Sequence, residues 1–156
     1  MGEWTSISIL IPVLQTAIGP VILISGVGLL LLTMTNRLGR AIDRSRLLVI
    51  EYAQASHLAR PPIEAQLRIL YQRARSIRLA IALSSISALT AAILIILLFV
   101  TALWGFEIGW LIVITFVLCL ASLIISLILF IHDINRSLAA LTLEYESTGI
   151  ENGPAG

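Results

Sequence analysis

Residues 79–106 read LAIALSSISALTAAILIILLFVTALWGF, 28 consecutive positions without a charge. About 20 apolar residues are enough for a helix to cross the hydrocarbon core of a bilayer. Two more uncharged stretches reach that length, residues 4–36 and 108–131, of 33 and 24 residues. Around them, the 156-residue chain is 58% hydrophobic and only 12% charged, whereas a soluble domain carries about 25% charge. This excludes a soluble globular protein and predicts three transmembrane helices, over 7–34, 79–104 and 110–131.

Charge gives the orientation. All ten basic residues are arginine, and nine of them (Arg37, Arg40, Arg44, Arg46, Arg60, Arg68, Arg73, Arg75 and Arg78) lie in the one long connection between the first and second spans. Basic connections of up to about 60 residues stay in the cytoplasm, so this one is expected inside. The connection 105–109 carries no basic residue and is expected outside, with the N-terminus outside and the C-terminus inside. Trp4, Trp104 and Trp110 fall at the predicted outer interface, where indole rings suit the headgroup level, and Tyr52, Tyr71 and Tyr145 fall on the inner side. No basic segment precedes the first span, so it is expected to remain in the mature protein rather than act as a signal peptide. The net charge of +1 is a cancellation: residues 37–78 carry +6 and the remainder −5, which leaves an acidic tail with Glu144 and Glu146 on the same side as the basic connection.

Pro12 and the pair Gly19-Pro20 fall inside the first span. Proline frees a carbonyl one turn back, so a kink near 16–20 is expected, in a helix buried among others that satisfy the freed group. Beyond Asn36 the helical pattern continues, with Leu38, Ala41, Ile42, Val49 and Tyr52 on one face, and the helix should project roughly 30 Å beyond the membrane. Residues 56–62 read as a turn, with Pro62 suited to the first turn of the next helix. The return helix places Ile63, Leu67, Leu70, Ala74 and Ile77 on one face, and Glu64 stands four residues before Arg68 as a favourable pair. Two such helices bury their stripes against each other as an antiparallel hairpin. After the third span, Ile134, Leu138, Leu141 and Tyr145 fall at helical spacing. The fold expected is a single all-α membrane domain: three transmembrane helices, a long cytoplasmic helical hairpin at 35–78, an amphipathic helix at 132–147 packed against it, and a disordered tail at 148–156.

The run Thr35-Asn36-Arg37-Leu38-Gly39-Arg40-Ala41-Ile42-Asp43-Arg44-Ser45-Arg46, together with Arg73-Ala74-Arg75-Ser76-Ile77-Arg78 leading into Ser84-Ser85-Ile86-Ser87, resembles an uncharacterised family of small bacterial membrane proteins. The similarity spans about residues 14–145. It implies a bacterial-type inner or thylakoid membrane and a family-wide arginine-rich segment, and it implies no activity.

At 100° per residue, Ser8, Gln15, Gly19, Ile22, Gly26, Leu29, Thr33, Arg37, Arg40 and Arg44 fall close to one line of the first helix. In a ring of subunits this line could form a pore, with Gln15 and Thr33 as polar rings, Ile22 and Leu29 as apolar constrictions and the arginines as a cationic inner mouth. The competing reading is that Gly19 and Gly26 let another helix approach closely. Small residues also line the second span (Ser76, Ala80, Ser84, Ser87, Ala91) and the third (Thr115, Cys119, Ser122, Ser126, in line with Asp133), marking seams where helices should meet.

Arg37, Arg40, Arg73, Arg75 and Arg78 stand where lipid phosphates lie, and anionic headgroups or an acidic partner are the contacts expected of them. Nucleic acid is excluded as a partner, since the charges hug the membrane without interleaved aromatics. His57 and His132 lack a second ligand at metal spacing, Cys119 has no disulfide partner, and no phosphate loop or catalytic carboxylate pair is present. No enzyme, metal or cofactor is expected. Two functions remain: a homo-oligomeric ion channel or pore lined by the first helix, which is slightly preferred, and a non-conducting scaffold or accessory subunit that docks partners or anionic lipid through its hairpin.

Overall fold

The computed structural model describes residues 7–57, 60–104 and 109–147, with side-chain environments for 11–57, 60–104 and 109–135. Three long helices account for nearly all of it: α1 (Ile7–Gln54), α2 (Arg60–Trp104) and α3 (Gly109–Ser147). Each contains a segment long and apolar enough to cross a bilayer, and the chain is a multi-pass, all-helical membrane protein. Trp4, the connection 105–108 and the tail 148–156 lie outside the described residues, as do the side chains of Glu144 and Tyr145.

α2 is the central helix, packed against α1 and against α3. The buried positions of α2 explain this. Ile63, Ile77, Ser84 and Ala91 fall in one row stepping by seven residues or its multiples, and Ala80, Ser87 and Leu94 in a second. In α1 the rows hold Val27, Met34 and Leu48, and in α3 Cys119, Ser126 and Asp133. A seven-residue repeat keeps two helices in continuous contact at a shallow crossing angle, since 3.5 residues per turn is close to the α-helical period. Met34, Ile77 and Ala80 form the centre of the core, with Leu38, Ile81, Leu129 and Phe130 packed around them.

The 3.6-residue face expected for the emergent part of α1 is therefore corrected. Leu38, Ala41 and Tyr52 are half-buried, but Ile42 and Val49 are exposed and the neighbouring Leu48 is buried instead. Over several turns a 3.6 period drifts off a seven-residue seam, and Leu48, two repeats beyond Met34, stays on it. Within the protomer α1 is not enclosed by other helices. α1 lies at the side of α2, and Ile22 and Leu29 are 66% and 70% exposed. An apolar solvent removes the need to bury such residues in protein.

α1 runs as one helix across Pro12 and Pro20, and the Thr16 hydroxyl donates to the Pro12 carbonyl at 2.9 Å. The hairpin turn follows Gln54, where the Ala55 amide donates to the Tyr52 carbonyl at 3.4 Å. Pro61 and Pro62 then occupy the first turn of α2, where their missing amides go unused, and the Arg60 guanidinium stacks over the Tyr52 ring at 5.4 Å. The pair expected between Glu64 and Arg68 is not among the ion pairs of the described residues; both side chains are exposed, where water competes for them. α3 continues without a break to Ser147, so segment 132–147 is a prolongation of the third span rather than a separate helix.

Candidate functional site

The α2–α3 seam leads to the charged end of the molecule. Within the apolar layer it is sewn by hydroxyl groups. Ser126 donates to the Ala80 carbonyl at 2.6 Å and lies 2.7 Å from the Ser84 hydroxyl. A hydroxyl has one proton, so with Ser126 committed to the carbonyl, Ser84 donates to Ser126. One repeat further, Ser87 donates to the Cys119 carbonyl at 3.0 Å, and the Cys119 thiol donates back to the Ser87 carbonyl at 3.3 Å. The seams expected from small residues thus face each other.

At the end of this seam, Arg73 Nε lies 3.4 Å from Asp133 Oδ1, with the Asp133 side chain 1% exposed. Asp133 Oδ2 is buried and has no hydrogen-bond partner among the described residues. The adjacent His132 is exposed, on a different face of the helix from Asp133. Among the described residues, no three His, Cys, Asp or Glu side chains gather in a way that could hold a metal ion.

The arginines divide between two grooves. Arg37, Arg40 and Arg44 of α1 and Arg73 of α2 line one of about 270 Å³, together with Ala41 and Leu70. Arg37 also stacks over Phe130 of α3, 5.5 Å from the ring centroid. Arg75 and Arg78 edge a larger groove of about 630 Å³ between the hairpin helices, lined by Leu38, Ile42, Val49, Leu67 and Tyr71 among others. The five arginines expected to meet lipid or a partner are therefore split: Arg37, Arg40 and Arg73 stand with Arg44, and Arg75 and Arg78 stand apart.

The fold divides the proposed pore-lining set: Gln15, Ile22, Gly26, Leu29 and Thr33 lie on the outer side of α1, Gly19 borders an apolar groove against α2 and α3, and the three arginines line the groove shared with Arg73. Gln15, Gly19, Ile22, Gly26, Leu29, Thr33, Arg40 and Arg44 are exposed, and Arg37 is half-buried. A methyl added at Gly19 or Gly26 would meet nothing within 4 Å, so neither glycine serves a close approach inside the protomer. The hydroxyls of this helix are turned inward on its own backbone: Ser25 donates to the Val21 carbonyl, Thr33 to Leu29 and Thr35 to Leu31. Between Gln15 and Asn36 the outer surface is therefore close to purely apolar.

Sequence reasoning did not find the Arg73–Asp133 pair or the groove around Tyr71. The pair follows from the register of the two helices rather than from sequence spacing alone. Ala80 with Ser126 and Ser87 with Cys119 define an antiparallel register, and one further step of seven along each helix brings Arg73 to Asp133.

A family model described as a protein of unknown function (DUF2721) matches residues 17–143. No curated protein and no solved structure matches the chain.

Proposed function

The chain belongs to the DUF2721 family, and on that premise we propose that it is a non-enzymatic membrane scaffold whose arginine-rich hairpin reaches into the cytoplasm and docks an amphipathic, acidic segment of a partner protein. The observation that carries this reading is the groove between the two hairpin helices. It is long and apolar, with Ile42, Val49 and Tyr71 exposed along it and Arg75 and Arg78 on its edge. An amphipathic helix laid in such a groove buries its apolar face and meets the arginines with its carboxylates. Exposed apolar residues beyond the membrane-spanning segments mark interaction surfaces, because lipid does not cover them there. The protomer is expected to self-associate through the open apolar side of α1, where Gly26 leaves room for a second helix.

A pore lined by α1 is the second reading. It is favoured by the exposure of Gln15, Ile22, Gly26, Leu29 and Thr33 along one side of the protomer. The inward-turned hydroxyls count against it, because they leave an apolar surface better suited to lipid or protein than to water.

A photo-crosslinking residue at Tyr71 in the full-length protein tests the docking reading in native membranes. It should give a discrete adduct with another protein that disappears in Arg75→Glu/Arg78→Glu, while the same probe at Leu29 should give adducts with lipid or with a second copy. Absence of a charge-dependent adduct at Tyr71 would remove the reading.

A further inference from the structure

We propose that the groove formed by Arg37, Arg40, Arg44 and Arg73 binds the phosphate of one anionic phospholipid per protomer. The three α1 arginines are spaced by three and four residues, which places them on one side of the helix along about 10 Å of its axis. Arg73 faces them from α2, and no acidic side chain lines the groove. Two of the four guanidiniums are positioned by α3: Arg73 by Asp133 at 3.4 Å and Arg37 by stacking over Phe130. Arg40 and Arg44 remain exposed.

Asp133 is paired with Arg73, whereas the guanidiniums of Arg37, Arg40 and Arg44 repel one another along the groove, and a bound anion relieves that repulsion. The planar fork of arginine donors matches phosphate oxygens. The position selects a lipid over a free anion. Arg37 is the first charged residue after the uncharged stretch 4–36, so the groove opens where α1 leaves the apolar layer, at headgroup depth. Just below it, the exposed Leu29 and Leu32 give the acyl chains a surface to lie on. This groove shares only Leu70 with the one edged by Arg75 and Arg78, so the lipid site stands or falls separately from partner docking.

The test is native mass spectrometry of the full-length protein, released from detergent containing equal amounts of phosphatidylglycerol and phosphatidylcholine. The expected result is one phosphatidylglycerol retained per protomer in preference to phosphatidylcholine. Arg40→Gln and Arg44→Gln should each weaken that preference by roughly fivefold, and Arg75→Gln/Arg78→Gln should leave it unchanged. Both α1 substitutions are at exposed positions, and unchanged helical circular dichroism would show that the fold persists. Arg40→Lys provides a second check, since it keeps the charge and loses the fork, and it should recover only part of the preference. Equal losses in the two pairs of variants would show diffuse attraction and overturn the site. Displacement of the lipid by millimolar inorganic phosphate would assign the groove to a free anion and overturn the lipid.

Discussion

Arg73 and Asp133 meet at 3.4 Å across 60 residues of chain, tying the charged end of α2 to α3. The pair is lopsided: the Asp133 side chain is 1% exposed and that of Arg73 is 30% exposed. Removing one partner of a buried pair leaves an uncompensated charge, and the loss depends on which charge is left behind. Arg73→Met strands a buried carboxylate and should destabilise by about 3 kcal/mol. Asp133→Asn leaves an arginine that can reach water or lipid phosphate, and should cost nearer 1 kcal/mol. Reversible unfolding in mixed micelles measures both; an Asp133→Asn loss equal to or larger than that of Arg73→Met would contradict this account.

Ser126 makes the tightest contact of the α2–α3 seam, donating to a backbone carbonyl of the opposite helix at 2.6 Å. Interhelical hydrogen bonds in lipid contribute about 0.6 kcal/mol on average, so Ser126→Ala should destabilise by less than about 1 kcal/mol. Ser126→Leu exchanges a side chain of two heavy atoms for one of four at a fully buried position and should cost about 1–3 kcal/mol. The ordering, leucine far worse than alanine, would show that small size matters more at this site than the hydroxyl. Equal losses would reverse that conclusion.

Cys119 is 2% exposed and its thiol is engaged by Ser87. It should react with a maleimide at least tenfold more slowly in the bilayer than after unfolding in denaturing detergent, because thiol chemistry needs an accessible thiolate. Cys119→Ala should fold and unfold like the wild type to within about 1.5 kcal/mol. Rapid labelling of the native protein would mean that α2 and α3 separate in the membrane.

The number of helices, the hairpin and the facing small-residue seams are legible in the sequence because each rests on a local signal: uncharged length, the turn prolines, and hydroxyls at helical spacing. What escaped is what depends on register. Leu48 rather than Val49 is buried because the seam follows a seven-residue repeat, and a 3.6-residue count drifts off it over several turns. The sequence places Asp133 in line with Ser126 and Cys119, but its partner follows only from the antiparallel register of α2. The division of the arginines into two grooves is likewise a three-dimensional fact, since Arg73 and Arg75 are two residues apart and fall on different sides of α2.

The hairpin should be reachable from the cytoplasmic side alone, as the bias of basic connections toward the cytoplasm predicts for its nine arginines. His57, exposed at its tip, is the position to test. In a Cys119→Ser background, His57→Cys should react with a membrane-impermeant maleimide in inside-out vesicles and not in intact cells. Labelling in intact cells would invert the topology, and the docking and lipid proposals would then concern the opposite membrane face.

The outer line of α1 allows scaffold and pore to be separated. From Gln15 to Arg37 its polar side chains are few, and Ser25, Thr33 and Thr35 spend their hydroxyl protons on carbonyls of the same helix. A ring of such helices would enclose a lumen lined by Ile22, Gly26 and Leu29, apolar enough to dewet. Protein reconstituted in a planar bilayer should therefore carry no current across the accessible voltage range or under membrane tension, and Gln15→Ala should change nothing. Leu29→Ser, which hydrates the middle of the line, should also remain silent if that surface faces lipid or a second helix. A current from the wild-type protein whose ion selectivity changed in Gln15→Ala or Arg37→Glu would overturn the scaffold and establish the pore. A current that appeared only in Leu29→Ser would show that copies of α1 do surround a common axis, held closed by its leucines.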